Sequence, residues 1–504
     1  MRAPRIARQR GFALYMTAIF MMMIIPMIGL SIDATLLYVV KTRLQGAVDG
    51  AALAGAKALS HGTDSPSEKI AAIAAAKTYV KLNFPSSYFF SQDVLVDSNN
   101  GVAIDESVAF QRTVTVTASV LEPTLFMKWL NFASTNVTAT AGTVRKDVNI
   151  AMVMDRSGSL TLSGSCAPLI AAAQNFVGIF SPGNDNVGLI TFASSTYVNF
   201  PPSTTFASAS PDVVAMLGNI VCQGSTSTAY ALWTGYQQLI ALNQPGALNA
   251  ILLFTDGDPT GVYVNMPIAN SSPCSAYTHG SPGGAGGYAL PGGAKGYIPG
   301  LYNIFTQTPF GYFGLINPVD PNPPVGGEQV VTTQDEYTNP NSTGCTYNAG
   351  GAPVTGNNCI VTDFTGLPLK DVNGNSLSTS YNSVTLNATG MISLGTGGPT
   401  CVVASPDGMN PFLNAADDAA KNIRNGATDP TSGKSLNGII IFTIGLGNAA
   451  VPVNPTFLER VANDPRSPIY DNTKATGSYT YAATSSDLQS AFAAVASEIL
   501  RLAR

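Results

Sequence analysis

Val148-Asn149-Ile150-Ala151-Met152-Val153-Met154-Asp155-Arg156-Ser157-Gly158-Ser159 decides the fold. Its first seven residues form a mostly apolar run without alternation, the pattern of a strand buried on both faces of a parallel sheet. The run stops at Asp155, and small hydroxyl residues follow. Ala250-Ile251-Leu252-Leu253-Phe254 repeats the pattern and ends in Thr255-Asp256-Gly257. Between the two runs, periodicity predicts helices over 167–181, 211–220 and 228–243 and strands over 187–192 and 197–200. Beyond residue 410 come a helix over 411–425, a strand over 438–444, a helix over 455–463 and a strand at 478–483. A last helix over 487–502 is opened by a capping box of Ser486 and Gln489. Strands and helices that alternate in this way predict a doubly wound α/β domain over 147–504.

Ligands of such sheets lie beyond the carboxyl ends of the strands. Asp155 and Asp256 stand just past two such ends. Together with the hydroxyls of Ser157, Ser159 and Thr226 they form a set of hard oxygen donors, suited to Mg²⁺ (or Mn²⁺ or Ca²⁺). Ser157 and Ser159 are two residues apart, so both hydroxyls can turn to one ion on a tight loop, and Gly158 lets the backbone bend there. Two carboxylates leave an open position that an acidic group of a partner can complete. Asp258 reads as an ordinary loop acid, with holding a water beside the ion as the rival role.

The D-x-S-x-S of Asp155, Ser157 and Ser159, the Gly224-Ser225-Thr226 followed by Ala231-Leu232, and the Thr255-Asp256-Gly257 occur in order and after the expected strands. This arrangement resembles the metal-ion-dependent adhesion site of von Willebrand factor A (vWA) domains. The resemblance implies a Rossmann-like fold and names Asp155, Ser157, Ser159, Thr226 and Asp256 as the ligands.

Composition narrows the function. The chain has 504 residues, 11% charged and 45% hydrophobic, with a net charge of -5. That length exceeds one ordinary domain. No basic stripe occurs outside the first ten residues, so no nucleic-acid partner is expected. The two histidines, His61 and His279, leave no base to activate a serine nucleophile. The Gly-rich runs lack the K-[ST] of a phosphate loop. We therefore expect no enzyme, no catalytic residue, no organic cofactor and no small-molecule substrate. The six cysteines form no CxxC pair, which argues against structural zinc.

Residues 11–32, GFALYMTAIFMMMIIPMIGLSI, carry no charge. A stretch of about 22 residues is long enough to cross a hydrocarbon core as a helix. Arg2, Arg5, Arg8 and Arg10 precede it, so residues 1–10 are expected in the cytoplasm and everything after residue 33 outside. A cleaved signal peptide is the rival, but the apolar stretch is long for one and no clean A-x-A site follows. Residues 33–146 read as a small α+β module. Helices are expected over 37–59, continuing the apolar helix out of the membrane, and over 67–81, with alternating strands over 113–120 and 136–144 and a short helix over 123–132.

The segment Leu44-Gln45-Gly46-Ala47-Val48-Asp49-Gly50-Ala51-Ala52-Leu53-Ala54-Gly55-Ala56, behind Arg10-Gly11, the apolar helix and Asp33, resembles the N-terminal part of TadE/TadG-like proteins of the Tad (tight adherence, Flp pilus) machinery. The likeness covers about 50 residues closely. Tad pseudopilins are processed after a glycine with glutamate five residues on. Here Met16 occupies that place after Gly11, so no such processing is expected.

Between residues 259 and 410 helical and strand periods vanish, and Gly, Pro and Tyr dominate. The aromatics from Tyr277 to Phe313 argue against simple disorder. Following Asp256, this insertion is expected on the metal face, where it caps the site or supplies a recognition surface, with a partly ordered decorative loop as the rival. Cys166 follows the first metal loop and Cys222 precedes the second, so these two are expected to pair in an oxidising compartment. Cys274 with Cys401 and Cys345 with Cys359 are the weaker expectation.

The vWA and TadE/TadG-like resemblances imply an inner-membrane, single-pass component of Tad-type pilus assembly. Its periplasmic vWA domain would dock other pilus-assembly or surface proteins. The alternative is a surface adhesin or receptor for an extracellular ligand. A vWA partner of a cytosolic AAA+ ATPase would need the domain on the other side of the membrane.

Overall fold

The computed structural model describes residues 10–59, 65–97, 101–193, 196–224, 226–267, 297–303, 366–393, 407–447 and 453–503. The chain divides into two compact units, with the boundary between Lys146 and Asp147.

The first unit is built on one continuous helix, α1 (Arg10–Ala58), which runs through Pro26 without interruption. From Tyr15 to Ile32 its large apolar side chains are exposed, apart from the half-buried Ile24, and the helix is long and apolar enough to cross a membrane. Beyond Val40 it becomes a core helix. Val40, Leu44, Ala47, Val48, Ala51 and Ala52 are buried at helical spacing. The small residues let neighbours approach: a Cβ on Gly50 would lie 2.4 Å from Tyr79 of α2 (Ser65–Asn83).

A three-stranded antiparallel sheet packs here in the order β1 (Val102–Asp105), β2 (Gln111–Pro123), β3 (Ser134–Lys146). Strict alternation in β2 buries Val114, Val116, Ala118 and Val120 on one face. Arg112 and Glu68 form a buried ion pair at 2.7 Å. The helix expected over 123–132 is instead a loop with one 3₁₀ turn, Met127–Leu130. Its first N–H groups are claimed by a side chain far away in sequence. Asp33 accepts from the backbone N–H of Leu125, Phe126 and Met127 at 2.9, 2.9 and 2.6 Å. Burial works against the Asp33 charge, yet these three donors hold its carboxyl below the usual carboxylate range.

The second unit is an α/β domain around a six-stranded sheet. Its order is β13 (Tyr479–Ala482), β12 (Ile440–Leu446), β7 (Leu248–Thr255), β4 (Val148–Asp155), β5 (Asn186–Phe192), β6 (Thr196–Ser203). All pairings are parallel except that of the edge strand β6. Every residue of β4, β5, β7 and β12 is buried, because helices cover both faces. Ala151 and Val153 of β4 point to the core shared with α6 (Thr228–Leu242), α7 (Asn410–Arg424) and α8 (Pro455–Ala462). Ile150, Met152 and Met154 point to the core shared with α4 (Cys166–Val177), α5 (Val213–Gly218) and α9 (Leu488–Leu502). Gly235 lets α6 lie close on β4, since a Cβ there would meet Val153 at 2.9 Å.

Two expectations need correcting. The insertion is not devoid of regular structure. β8 (Gly261–Pro267) and β9 (Tyr297–Asn303) pair antiparallel, as do the two-residue strands β10 (Gly366–Leu367) and β11 (Ile392–Ser393). Val262, Val264, Leu367, Leu377 and Ile392 complete the core around α6 and α7. The capping box also sits elsewhere. Thr484 and Asp487 cap a 3₁₀ turn over Ser485–Asp487, and α9 follows directly, so Ser486 and Gln489 do not form the box.

Candidate metal centre

Strand order turns at the boundary of β4 and β7. From β4 the chain moves to β5 and β6 on one side, and from β7 to β12 and β13 on the other. A crevice opens at such a switch point, outside the carboxyl ends of the strands. Asp155 is the last residue of β4, and Asp256 follows the last residue of β7. Both are completely buried.

The loop after β4 brings three further groups together. The Ser157 N–H donates to Asp155 Oδ1 at 2.7 Å, which turns the chain back over the carboxylate. Ser157 Oγ and Ser159 Oγ lie 3.0 Å apart, and Ser159 Oγ donates to Asp256 Oδ1 at 2.7 Å. On the far side of the carboxylate, Thr255 Oγ1 donates to Asp155 Oδ2 at 2.6 Å. Ser157 is the residue before a short helix, α3 (Gly158–Leu162), with extended backbone. Gly158 itself is the first helical residue, and a Cβ there would meet only ordinary contacts, at 3.5 Å from the Gly224 carbonyl. The bend expected at Gly158 is thus not what requires glycine. Gly224, at φ +95°, carries the left-handed backbone.

Thr226 stands in the second loop, just before α6. That loop is fastened to the first: Gly158 N–H donates to Gly224 O at 2.9 Å, and Gln223 N–H donates to Arg156 O at 2.7 Å. It is fastened equally to the segment after Asp256. Thr260 and Gly261 N–H both donate to Thr226 O, and Thr226 N–H donates to Thr260 Oγ1 at 3.0 Å. Sequence reasoning overlooked Thr255 and Thr260, which position the carboxylate and the threonine. Thr255 was legible only as part of Thr-Asp-Gly, and Thr260 carried no signal.

Asp258 lies beyond the pair. Burial pushes its carboxyl up, and the Asn454 side chain hydrogen-bonds to it and works the other way. Arg156 is buried with its guanidinium over the Tyr197 ring, 5.7 Å from the centroid. Cys166 and Cys222 are joined by a disulfide, which ties the start of α4 to the strand of chain leading into Gly224. Cys274, Cys345, Cys359 and Cys401 lie outside the described residues.

The donor set fits a hard divalent cation. Burial first, and then the negative charge of Asp256, push the Asp155 carboxyl up. Two carboxylates held together away from water are costly unless a cation offsets them. Among the described residues no three His, Cys, Asp or Glu side chains converge. The set is therefore two carboxylates plus hydroxyls, the oxygen chemistry that Mg²⁺ and Mn²⁺ accept and that zinc sites rarely use.

Residues 11–58 match the model of the putative Flp pilus-assembly TadE/G-like family. Residues 150–258 match that of the von Willebrand factor type A domain. The chain is similar to the uncharacterized protein YfbK of Escherichia coli, at 29% identity over 110 residues, which is 22% of this chain and 19% of that protein. It is also similar to the calcium-activated chloride channel regulator 3A-1 of Mus musculus, at 27% over 114 residues, 22% of this chain and 12% of that one. The likeness thus spans less than a fifth of either relative's length. Among solved structures, the von Willebrand factor domain of the type V pili tip protein Mfa5 from Porphyromonas gingivalis aligns at 16% identity with a TM-score of 0.36. That alignment covers 72% of this chain and 98% of that one. The chain thus carries a segment that matches the putative Flp pilus-assembly TadE/G-like family ahead of one that matches the von Willebrand factor type A domain.

Proposed function

We propose that this protein is a membrane-anchored, extracytoplasmic component of Tad-type Flp pilus assembly that docks partner proteins through a divalent cation. The observation that carries the reading is the buried Asp155 and Asp256 pair, linked through Ser157 and Ser159 at the switch crevice, on a chain with a TadE/G-like segment. Asp155, Ser157, Ser159, Thr226 and Asp256 would hold the ion. When bound, Mg²⁺ or Mn²⁺ would supply a cationic centre with an open position for an acidic group of a partner. The protein's own residues do the rest. Ser157 and Thr255 fix the two Asp155 oxygens, Ser159 orients Asp256, and the Gly224 and Thr260 contacts hold Thr226 in place. The domain acts by binding, not by catalysis.

The apolar stretch Tyr15–Ile32 is the anchor in this reading. The arginines before it keep the N-terminus in the cytoplasm of an inner membrane and place the vWA domain in the periplasm. The test is Asp256→Ala in the chromosomal copy. Piliation or adhesion should be lost while protein level and membrane insertion persist, because Asp256 lies after a finished strand. Normal pili in that strain would end the proposal. The insertion cannot be excised as a block for the same test: removing 262–405 would take Val262, Val264, Leu367, Leu377 and Ile392 from the core.

A further inference from the structure

The loop between β2 and β3 presents an apolar surface with nothing in its own unit to cover it. Trp129 is 83% exposed, Leu130 66% and Phe132 61%, and Leu125 and Phe126 are also exposed. Soluble surfaces rarely gather large apolar side chains this densely. The loop is nevertheless well built. Its ends are closed by the Thr124 N–H donating to Ala133 O at 3.1 Å. Phe132 N–H donates to Met127 O, and Asn131 takes the left-handed backbone that turns the chain between them.

Its place along α1 is fixed by two independent contacts. Asp33 accepts from three successive backbone N–H groups of the loop. One turn earlier, the Phe126 ring lies on Gly29, so close that a Cβ on that glycine would sit 2.6 Å from it. Gly29 and Asp33 bracket the end of the uncharged apolar stretch of α1. The loop therefore emerges at the depth where a membrane-crossing α1 leaves the hydrocarbon. Residues 124–133 contain no acid, and their one charge is Lys128. Tryptophan, other apolar side chains and a lysine are what the interfacial zone of a bilayer favours.

We propose that this loop is a second membrane contact, with Trp129, Leu130 and Phe132 seated in the headgroup and upper acyl region of the phospholipid bilayer beside α1. The proposal rests on the reading of α1 as a membrane anchor. Its occupant is lipid. The apolar surface continues that of the helix, and Asp33 and Gly29 hold the loop against the helix where lipid begins. A loop pinned in this way would keep α1 from rotating or sliding in the membrane, and so set the height of the sheet above it.

The chain has two tryptophans, which makes the test direct. Trp233 is buried, and its Nε1–H donates to Asp429 at 2.9 Å, so it serves as an internal reference. Full-length protein and its Trp129→Phe variant are reconstituted in phosphatidylcholine vesicles, either plain or brominated near the carbonyl end of the acyl chains. Flotation of the vesicles reports whether the chain inserts. The difference between the two emission spectra reports Trp129 alone. We expect flotation of both proteins and about a two-fold or greater loss of Trp129 emission in brominated vesicles. Flotation with unquenched Trp129 would overturn the proposal and leave the anchor standing. If acrylamide quenched Trp129 in that case, the loop would face water. If it did not, a protein partner or a second copy would cover the loop. Failure to float would overturn both the anchor and the loop contact.

Discussion

Replacing both Cys166 and Cys222 with alanine should cost the second unit about 4 kcal/mol of stability. The disulfide closes a loop across a sequence separation of 56 residues. Chain-entropy reasoning for a loop of that size gives about 4 kcal/mol, within the roughly 2–5 kcal/mol seen when native disulfides are removed. That term acts on the unfolded chain. The folded loops keep their own ties: Thr161 Oγ1 donates to Cys222 O at 2.5 Å, Gln223 N–H to Arg156 O at 2.7 Å and Gly158 N–H to Gly224 O at 2.9 Å. The variant should thus fold to the same site while unfolding at lower denaturant concentration. Urea titration of the full chain in detergent, followed by near-ultraviolet circular dichroism with and without reductant, measures the difference. Reductant should move the midpoint of the wild type further than that of the variant, in which only Cys274, Cys345, Cys359 and Cys401 remain. A loss under about 1 kcal/mol, or Cys166 recovered as a free thiol by alkylation without reduction, would refute the reasoning.

Glu122 gives a pH test in the first unit. Its carboxyl is buried, neither oxygen has a hydrogen-bond partner among the described residues, and burial pushes it up to about 7 from a usual value near 4.5. With its folded value raised, stability is greatest in acid and falls as pH rises through about 7. Glu122→Gln should therefore raise the melting temperature more at alkaline than at acidic pH, and an equal effect at both would contradict the shift. Asp33→Ala removes the acceptor of three loop N–H groups. Amide hydrogen exchange at Leu125, Phe126 and Met127 should quicken about ten-fold or more. Unchanged protection there would mean that the loop holds itself.

Much of the architecture was legible because burial on both faces leaves a sequence mark. Val148–Asp155 is an apolar run that ends in an aspartate, Leu248–Thr255 is one that an aspartate follows, and both became central strands. α1 was legible as an apolar helix that continues into one rich in alanine, because nothing between Ile32 and Leu37 breaks a helix. Long-range claims on short segments were not legible. Residues 123–132 carry helical spacing, but Asp33, about 90 residues away, takes their N–H groups and stops the helix at one turn. The two-residue strands at Gly366 and Ile392 are too short for any period, and only their partners show that Leu367 and Leu377 are core.

At the site, the aspartates and serines stood in a motif, whereas the groups that position them did not. Thr260 holds Thr226 from the segment after β7, 34 residues on, and Gly224 rather than Gly158 carries the left-handed backbone. The Ser486 and Gln489 spacing suggested a capping box, yet Thr484 and Asp487 offered the same chemistry two residues earlier and took the helix start.

The central claim is that Asp155 and Asp256 exist to hold a divalent cation. Isothermal titration of Mg²⁺ into the full-length protein in detergent, beside its Asp155→Asn form, tests it most directly, since asparagine keeps the shape of the side chain and removes its charge. We expect one saturable site in the wild type, affinity reduced about 100-fold or more in Asp155→Asn, and about 2.7 kcal/mol of added stability for the wild type alone when Mg²⁺ is at 100 times its dissociation constant. Equal binding by both proteins, or no binding by either with Mg²⁺ or Mn²⁺, would contradict it.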